Sequence, residues 1–339
     1  MNRCLALFSG GLDSILACRV IQAQGIDVLA LKFISPFFDY ELLAREEAYQ
    51  AEIKERYDIN VKLCDISAEY IKMLANPRHG YGKNFNPCLD CKILIITRAK
   101  ELMAKYNASF LITGEVVGQR PMSQRKDTLR VIERDSATDD ILLRPLCAQS
   151  QKPTLAERSG MVDRDKLPRF SGRNRTPQME LAKAMGIHDY PSPAGGCVLT
   201  EQLRSARIKA LFGEDESLRT PANILFLLQG RQFRLPQGGW LALGRNQGEN
   251  KRIEGLREPG DQLLNTVERP GPTGLLRYGE SREDQALAAA IMIRYAKKTS
   301  PPDQPGQVSF ASRSGEKTMS AAPLAREGLA KLYYPAEPT

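Results

Sequence analysis

The sequence predicts an α/β protein, a parallel sheet with helices on both faces, followed by a smaller C-terminal domain that is α+β or mostly β. Three observations carry this. Short apolar runs alternate with helical patterns through the first part of the chain, as buried parallel strands and covering helices do. The first apolar run passes straight into a glycine turn and then a helix. Beyond residue 205 the apolar runs are instead bounded by glycines, which suits tight turns between antiparallel strands.

Residues 3–8 read as a buried strand, with a helical pattern after it at Leu12, Ile15, Leu16 and Val20. Val28–Phe33 is the next strand, Leu42–Tyr57 a mixed charged and apolar helix, and Val61–Cys64 a third strand. Ala68–Leu74 and Cys91–Tyr106 read as helices, Phe110–Thr113 as a strand and Ile141–Leu143 as an edge or final strand. Residues 153–187 are helical or looped, and Pro191–Gly196 is a turn. Phe233–Leu235, Trp240–Leu243, Leu275–Arg277 and Ala288–Tyr295 are strand candidates, the last also compatible with a helix. The expected division is 1–205, 206–299, and a linker and tail over 300–339, where prolines and serines gather; a short helix is expected within Ala321–Leu332.

A chain of 339 residues has room for two domains at ~150 residues each. Its 42% hydrophobic and 26% charged content suits a globular protein with a core rather than a disordered one. Lys plus Arg number 48 and Asp plus Glu 40, so the net charge of 48 − 40 = +8 permits a polyanionic partner without demanding one. The opening residues lack a signal-peptide pattern, and no apolar stretch is long enough for a membrane span, so a cytoplasmic, reducing environment is expected. There the 7 cysteines are ligands, redox centres or core residues rather than structural bridges.

The strongest local signal is Ser9-Gly10-Gly11-Leu12-Asp13-Ser14. Glycines let the backbone approach an anion, and the helix that follows offers unpaired N–H groups and a positive dipole end. Ser9 and Ser14 add hydroxyl donors. Asp13 repels phosphate, so it either holds Mg2+ or orients the loop. The alternative is a capped glycine turn with no ligand. The motif is neither the dinucleotide fingerprint nor the P-loop. It closely resembles the SGGxDS loop of the PP-loop ATPases, whose fold is adenine nucleotide α-hydrolase-like. That resemblance implies ATP as cofactor, with the loop on the leaving pyrophosphate. It also implies attack of a substrate oxygen on the α-phosphate, then loss of AMP to a nitrogen or sulfur nucleophile.

Cys88-Leu89-Asp90-Cys91 is a C-x-x-C, and Cys197 follows far downstream. On spacing alone the pair is a redox couple or half of a zinc site, with His188 as one more available ligand. Asn86-Pro87-x-x-x-Cys91 resembles the catalytic segment of tRNA 2-thiouridine synthases. Cys88, Cys91 and Cys197 together resemble the three ligands of a [4Fe-4S] cluster in one branch of tRNA thiolases. A cluster on three thiolates leaves one iron open for hydrosulfide. The metal-free alternative is a cysteine persulfide resolved as a disulfide. Cys4, Cys18 and Cys64 read as buried small hydrophobes, and Cys147 as packing or a sulfur relay.

Thr113-Gly114-Glu115-Val116-Val117-Gly118-Gln119-Arg120 ends a parallel strand, at the edge where ligands of open α/β sheets gather. This segment, and Arg144-Pro145-Leu146, resemble stretches of tRNA 4-thiouridine synthases. Gly114 allows close backbone approach, Glu115 and Gln119 bond to ligand or order the loop, and Arg120 neutralises phosphate. Phe33 ends the second strand near the same edge and is the candidate for the adenine site. The ordinary alternative is a plain strand-to-helix connection.

Two basic runs, Arg120 to Arg134 and Arg164 to Arg175, are either solvated faces or contacts to RNA phosphates. The resemblance covers roughly residues 3–200. It implies an ATP-dependent tRNA sulfurtransferase that replaces a uridine carbonyl oxygen, at ring position 4 or 2, using sulfide or a sulfur-donor system. The preceding RNA-binding domain and the C-terminal rhodanese domain of full-length 4-thiouridine synthases are not expected here. The C-terminal third is therefore a candidate for RNA contacts, or for homodimerisation. Two other classes remain: an ATP-dependent enzyme acting on a small molecule, and a non-catalytic RNA-binding protein.

Overall fold

The computed structural model describes residues 2–192, 197–300, 303–313 and 315–335. The chain forms two compact units, Met1–Thr200 and Glu201–Thr339.

In the first unit the strands are β1 (Arg3–Leu7), β2 (Asp27–Ile34), β3 (Asn60–Asp65), β4 (Phe110–Thr113) and β5 (Leu142–Leu143). All their pairings are parallel, in the order β3-β2-β1-β4-β5. The helices are α1 (Leu12–Gln22), α2 (Glu46–Tyr57), α3 (Ser67–Ala75), α4 (Cys88–Leu102), α5 (Lys126–Ser136), α6 (Leu155–Arg158) and α7 (Thr176–Ala184). β1 is the middle strand, which explains its unbroken apolar sequence: Cys4, Leu5 and Ala6 are fully buried. α1 buries Leu12, Ile15, Leu16, Val20 and Ile21 in a core shared with Tyr49, Ile53 and Tyr57 of α2 and Ala182 of α7. Each such Leu or Ile contributes about 1.5–3 kcal/mol through removal of apolar surface from water. α4 packs against α3 and α5.

Chain order moves from β1 to β2 and β3 on one side, then to β4 and β5 on the other. The crevice past the carboxyl ends of β1 and β4 is therefore the topological switch point, where open α/β sheets bind ligands. Leu7 and Thr113 pair there in register, which sets the Ser9–Ser14 loop beside the segment beginning at Thr113.

The second unit contains α8 (Gln202–Phe212), α9 (Pro221–Leu227), β6 (Arg231–Arg234), β7 (Trp240–Leu243), α10 (Gln247–Gly255), β8 (Gln262–Thr266) and β9 (Gly274–Arg277). It continues with α11 (Arg282–Tyr295), β10 (Gly306–Ser312), β11 (Gly315–Ala321) and α12 (Arg326–Ala330). Its strands form an antiparallel six-stranded sheet, β11-β10-β8-β9-β7-β6. Ala288, Ala289, Ile291 and Met292 of α11 pack with Phe233, Leu241, Leu264, Leu276, Val308 and Phe310 of the sheet.

Three expectations change. Ala288–Tyr295 is helical, because Ser281 caps the helix by accepting from the Glu283 N–H and acids fill the first turn. Residues 300–339 are not simply linker and tail: β10 alternates buried Val308 and Phe310 with outward residues and pairs with both β8 and β11. Cys64 is half-buried rather than buried, since β3 is an edge strand. The turn expected over Pro191–Gly196 lies partly outside the described residues. Among the described residues no helix is long and apolar enough to cross a membrane.

Candidate active site

At the switch point lies a cavity of about 310 Å³, lined by Ser9, Asp13, Ser14, Phe33, Gly114, Glu115, Cys91 and Cys197, with Lys32, Asp39, Lys92 and Arg120. The loop is built to turn sharply: Gly10 has φ +83°, a conformation costly for any residue with a Cβ. Ser14 Oγ donates to the Gly11 carbonyl at 2.7 Å, and Ser9 Oγ donates to Ser14 Oγ at 3.2 Å. The first-turn amides of Leu12 and Asp13 have no carbonyl one turn back, so they are available to an anion. The Leu12 side chain itself is in the core.

Gly114 explains why the two motifs stay together. A Cβ there would lie 2.5 Å from the Asp13 carbonyl carbon and oxygen and 2.6 Å from the Ser14 nitrogen. Only glycine lets β4 end against the first turn of α1. Asp13 Oδ2 accepts from Gln119 Nε2 at 2.7 Å and from Arg175 at 2.9 Å, while Gln178 donates to Gln119 at 3.1 Å. Of the two roles open to Asp13, ordering the loop is the one these partners serve. Asp13 Oδ1, buried and without a hydrogen-bond partner, is the atom available to a Mg2+ ion.

The acids of the cavity are each matched by a cation. Lys32, itself buried, bonds the Ser9 carbonyl at 2.7 Å and Asp39 at 2.5 Å. Glu115 pairs with Lys92 at 3.3 Å and Arg144 at 3.1 Å. Burial alone would push the Glu115 carboxyl up, but Lys92 and Arg144 outweigh it and hold it below the usual range. Arg120 lines the cavity without an ion-pair partner among the described residues. The resulting surplus is positive, as a polyphosphate requires. The Arg144 contact also joins the Arg-Pro-Leu segment to the Thr-Gly-Glu segment, so both sequence signatures converge on one buried ion pair. Cys147 sits beside it, fully buried, its thiol donating to the Glu115 carbonyl at 3.3 Å; burial pushes this thiol up.

The three candidate cysteines come from the start of α4 and from the residue that precedes a short helical turn at Val198–Thr200. Cys88, Cys91 and Cys197 all act electrostatically on the Tyr70 hydroxyl, whose own proton is held tightly, first by burial and then by these thiols. Tyr70 is hydrogen-bonded to Cys91. Burial pushes the Cys91 thiol up, and the Tyr70 hydrogen bond and the Lys92 charge oppose that. Asn86 donates to Cys88 Sγ at 3.1 Å, which gives the Asn-Pro segment a direct role. Cys91 and Cys197 face the cavity, whereas Cys88 lies outside its lining. Among the described residues no three His, Cys, Asp or Glu side chains are grouped tightly enough to hold a metal ion. Cysteine sulfur is the soft donor type that both iron–sulfur clusters and zinc take.

Sequence reasoning placed Gly10, Gly11 and Leu12 at the ligand and gave Gln119 either the ligand or the ordering of the loop; in the structure Gly10 makes the turn, Leu12 packs in the core and Gln119 donates to Asp13. It did not single out Lys32, Tyr70, Lys92 or Arg175 for this site. Lys32 and Lys92 carried a readable signal, a lone lysine in an apolar strand and one directly after the C-x-x-C. Tyr70 and Arg175 arrive only through the tertiary fold.

The loop, the parallel sheet and the switch-point cavity are together similar to an α/β unit of the PP-loop type. Residues 1–159 match the family described as Thiamine biosynthesis protein (ThiI). Residues 230–334 match the NFACT protein RNA binding domain. A tRNA sulfurtransferase of Marinobacter nauticus is 32% identical over 154 residues, 44% of this chain and 29% of that protein. One from Sodalis glossinidius is 26% identical, over 53% of this chain and 37% of its own length. These matches thus span less than half of the relatives' length. A solved 4-thiouridine synthetase in complex with RNA and bound ATP has 20% identity and a TM-score of 0.39, covering 55% of this chain and 41% of its own.

Proposed function

We propose that the protein is an ATP-dependent tRNA sulfurtransferase. The observation that carries this reading is that Cys91 and Cys197 line the same cavity as Ser9, Asp13 and Ser14. A phosphate loop and a sulfur-bearing thiol on one cavity are what activation followed by sulfur transfer needs.

In the proposed reaction a uridine carbonyl oxygen attacks the α-phosphate of ATP and pyrophosphate leaves. Loop amides and Arg120 offset the charge that develops on the phosphates, and Lys32 holds the loop through Ser9. Sulfide then attacks the ring carbon, its proton is lost, and AMP departs with the original oxygen. Phe33 offers an apolar face for the adenine. The target base must leave its stack to reach such a cavity. Cys88, Cys91 and Cys197 would hold a [4Fe-4S] cluster, which would supply an open iron for hydrosulfide. Convergence of the Glu115 and Arg144 segments favours ring position 4. The RNA-binding family match over residues 230–334 supports tRNA as the partner.

The test is anaerobic purification with iron and acid-labile sulfide analysis, followed by AMP release and tRNA thiolation assays with ATP and sulfide. Thiolation that needs all three cysteines, with bound iron, supports the reading. An iron-free protein that thiolates only when a persulfide donor replaces sulfide, and that needs Cys91 and Cys197, would exchange the cluster for a cysteine persulfide, resolved as a disulfide that an added thiol must reduce. AMP formation indifferent to tRNA would point to a small-molecule acceptor and sink the tRNA reading.

A further inference from the structure

The first unit holds a second, larger cavity of about 890 Å³, bounded by α5, β5 and the segment from Ala148 to Thr154. α5 presents Lys126, Arg130 and Arg134 to it, at i, i+4 and i+8. Residues at that spacing stand one above another on a single helix face, in steps of about 6 Å. Lys152 completes the ring from the opposite wall. Lys126, Arg130 and Lys152 are exposed and have no ion-pair partner among the described residues.

The acids lining the cavity are mostly engaged. Glu133 is paired with Arg144, and Glu157 with Arg164 and the Thr154 cap. Asp139 acts on Arg134, which also bonds Asp135 at 2.7 Å. A separate observation points to a missing acceptor. Arg144 lines this cavity at 2% exposure, and its Nη2 has no hydrogen-bond partner, although Nε and Nη1 are bound to Glu115 and Glu133. An unpartnered guanidinium nitrogen in a buried side chain is costly unless something fills the place.

We infer that this cavity seats the sugar–phosphate backbone of the RNA. The inference rests on the proposed RNA substrate and names where on the catalytic unit that RNA is gripped. A single phosphate spans only one or two of these cations. A row of three over about 12 Å is matched by a polymer that carries phosphates in series. Arginine forks suit such oxygens, and Ser150 and Gln151 add polar groups on the wall. Arg144 places the grip one side chain away from Glu115 of the nucleotide-side cavity.

The test uses the full chain with the double variant Lys126→Glu/Arg130→Glu, unfractionated tRNA as probe, and affinity measured across a salt series. Binding of a fluorescent ATP analogue and the melting curve report that the fold and the other cavity are intact. The expected result is a loss of tRNA affinity of about tenfold or more at low salt, and a log–log salt slope shallower by about two. An unchanged slope and affinity overturn the inference while leaving the proposed function standing. If the parent protein neither binds nor thiolates tRNA, both fall. If the variant loses affinity for inorganic pyrophosphate and keeps its tRNA slope, the cavity serves a small anion and the inference is wrong.

Discussion

Gly114→Ala tests the joint between the two motifs. The added Cβ would meet three backbone atoms of Asp13 and Ser14 at 2.5, 2.5 and 2.6 Å. Backbone cannot rotate away as a side-chain tip can, so β4 and α1 must part by about 1 Å to restore contacts near 3.5 Å. Overpacking of this kind costs about 1–3 kcal/mol. For a unit of this size each kcal/mol lowers Tm by about 2–4 °C, which gives a fall of roughly 2–12 °C. A displacement of about 1 Å at the phosphate loop should also slow ATP-dependent AMP release about 100-fold. Gly255→Ala is the control, since nothing lies within 4 Å of its Cβ position. Thermal unfolding and AMP release, measured on both variants, decide the matter. A Gly114→Ala protein with unaltered Tm and normal AMP release would refute the idea that this contact fixes the loop.

Glu115→Gln should cost about 3–5 kcal/mol, because Arg144 and Lys92 lose a buried counter-charge. The Glu115 carboxyl is held below its ordinary value, so its stabilising contribution is present above the unfolded pKa of ~4.3 and is lost as pH falls through the folded one. Urea midpoints should therefore drop on the acid side in the parent protein and respond less in the variant; parallel pH curves would contradict the assignment. Asp13→Asn keeps the shape of the side chain but strips the charge from the Arg175 contact. AMP release should fall well before any iron content does, and normal AMP release would remove Asp13 from the machinery. Tyr70→Phe removes the hydroxyl bonded to Cys91, worth about 1 kcal/mol, so iodoacetamide labelling of Cys91 at neutral pH should slow about fivefold. An unchanged labelling rate would mean that the bond does not support the thiolate.

The first unit was legible because each level of its sequence agrees. β1, β2 and β4 are apolar runs of strand length, and the glycine turn falls directly after the first. The unread parts have definite causes. β10 shows the two-residue alternation of a strand at Val308 and Phe310, but Pro301, Pro302 and Pro305 just before it read as linker. α11 begins at a Ser281 cap that lies upstream of the apolar run Ala288–Tyr295, which by itself has strand length. α5 is mostly charged, and its few apolar anchors, Leu129 and Ile132, are too sparse to announce a helix. At the site, glycines and cysteines were visible because their chemistry is local. Arg175 lies 162 positions from Asp13, and such a pairing leaves no mark in either neighbourhood.

The central place of β1 also sets a timetable for synthesis. Its first partner, β2, follows almost at once, but the strand on its other flank starts only at Phe110. At ribosomal speeds of ~5–20 residues per second, the ~75 intervening residues take about 4–15 s to emerge. Through that interval one edge of β1 stands open, beside a loop whose later anchors, Gly114, Gln119 and Arg175, have yet to be made. β1 is thus enclosed well after it is made, and a chaperone's chance to bind it is written into the strand order.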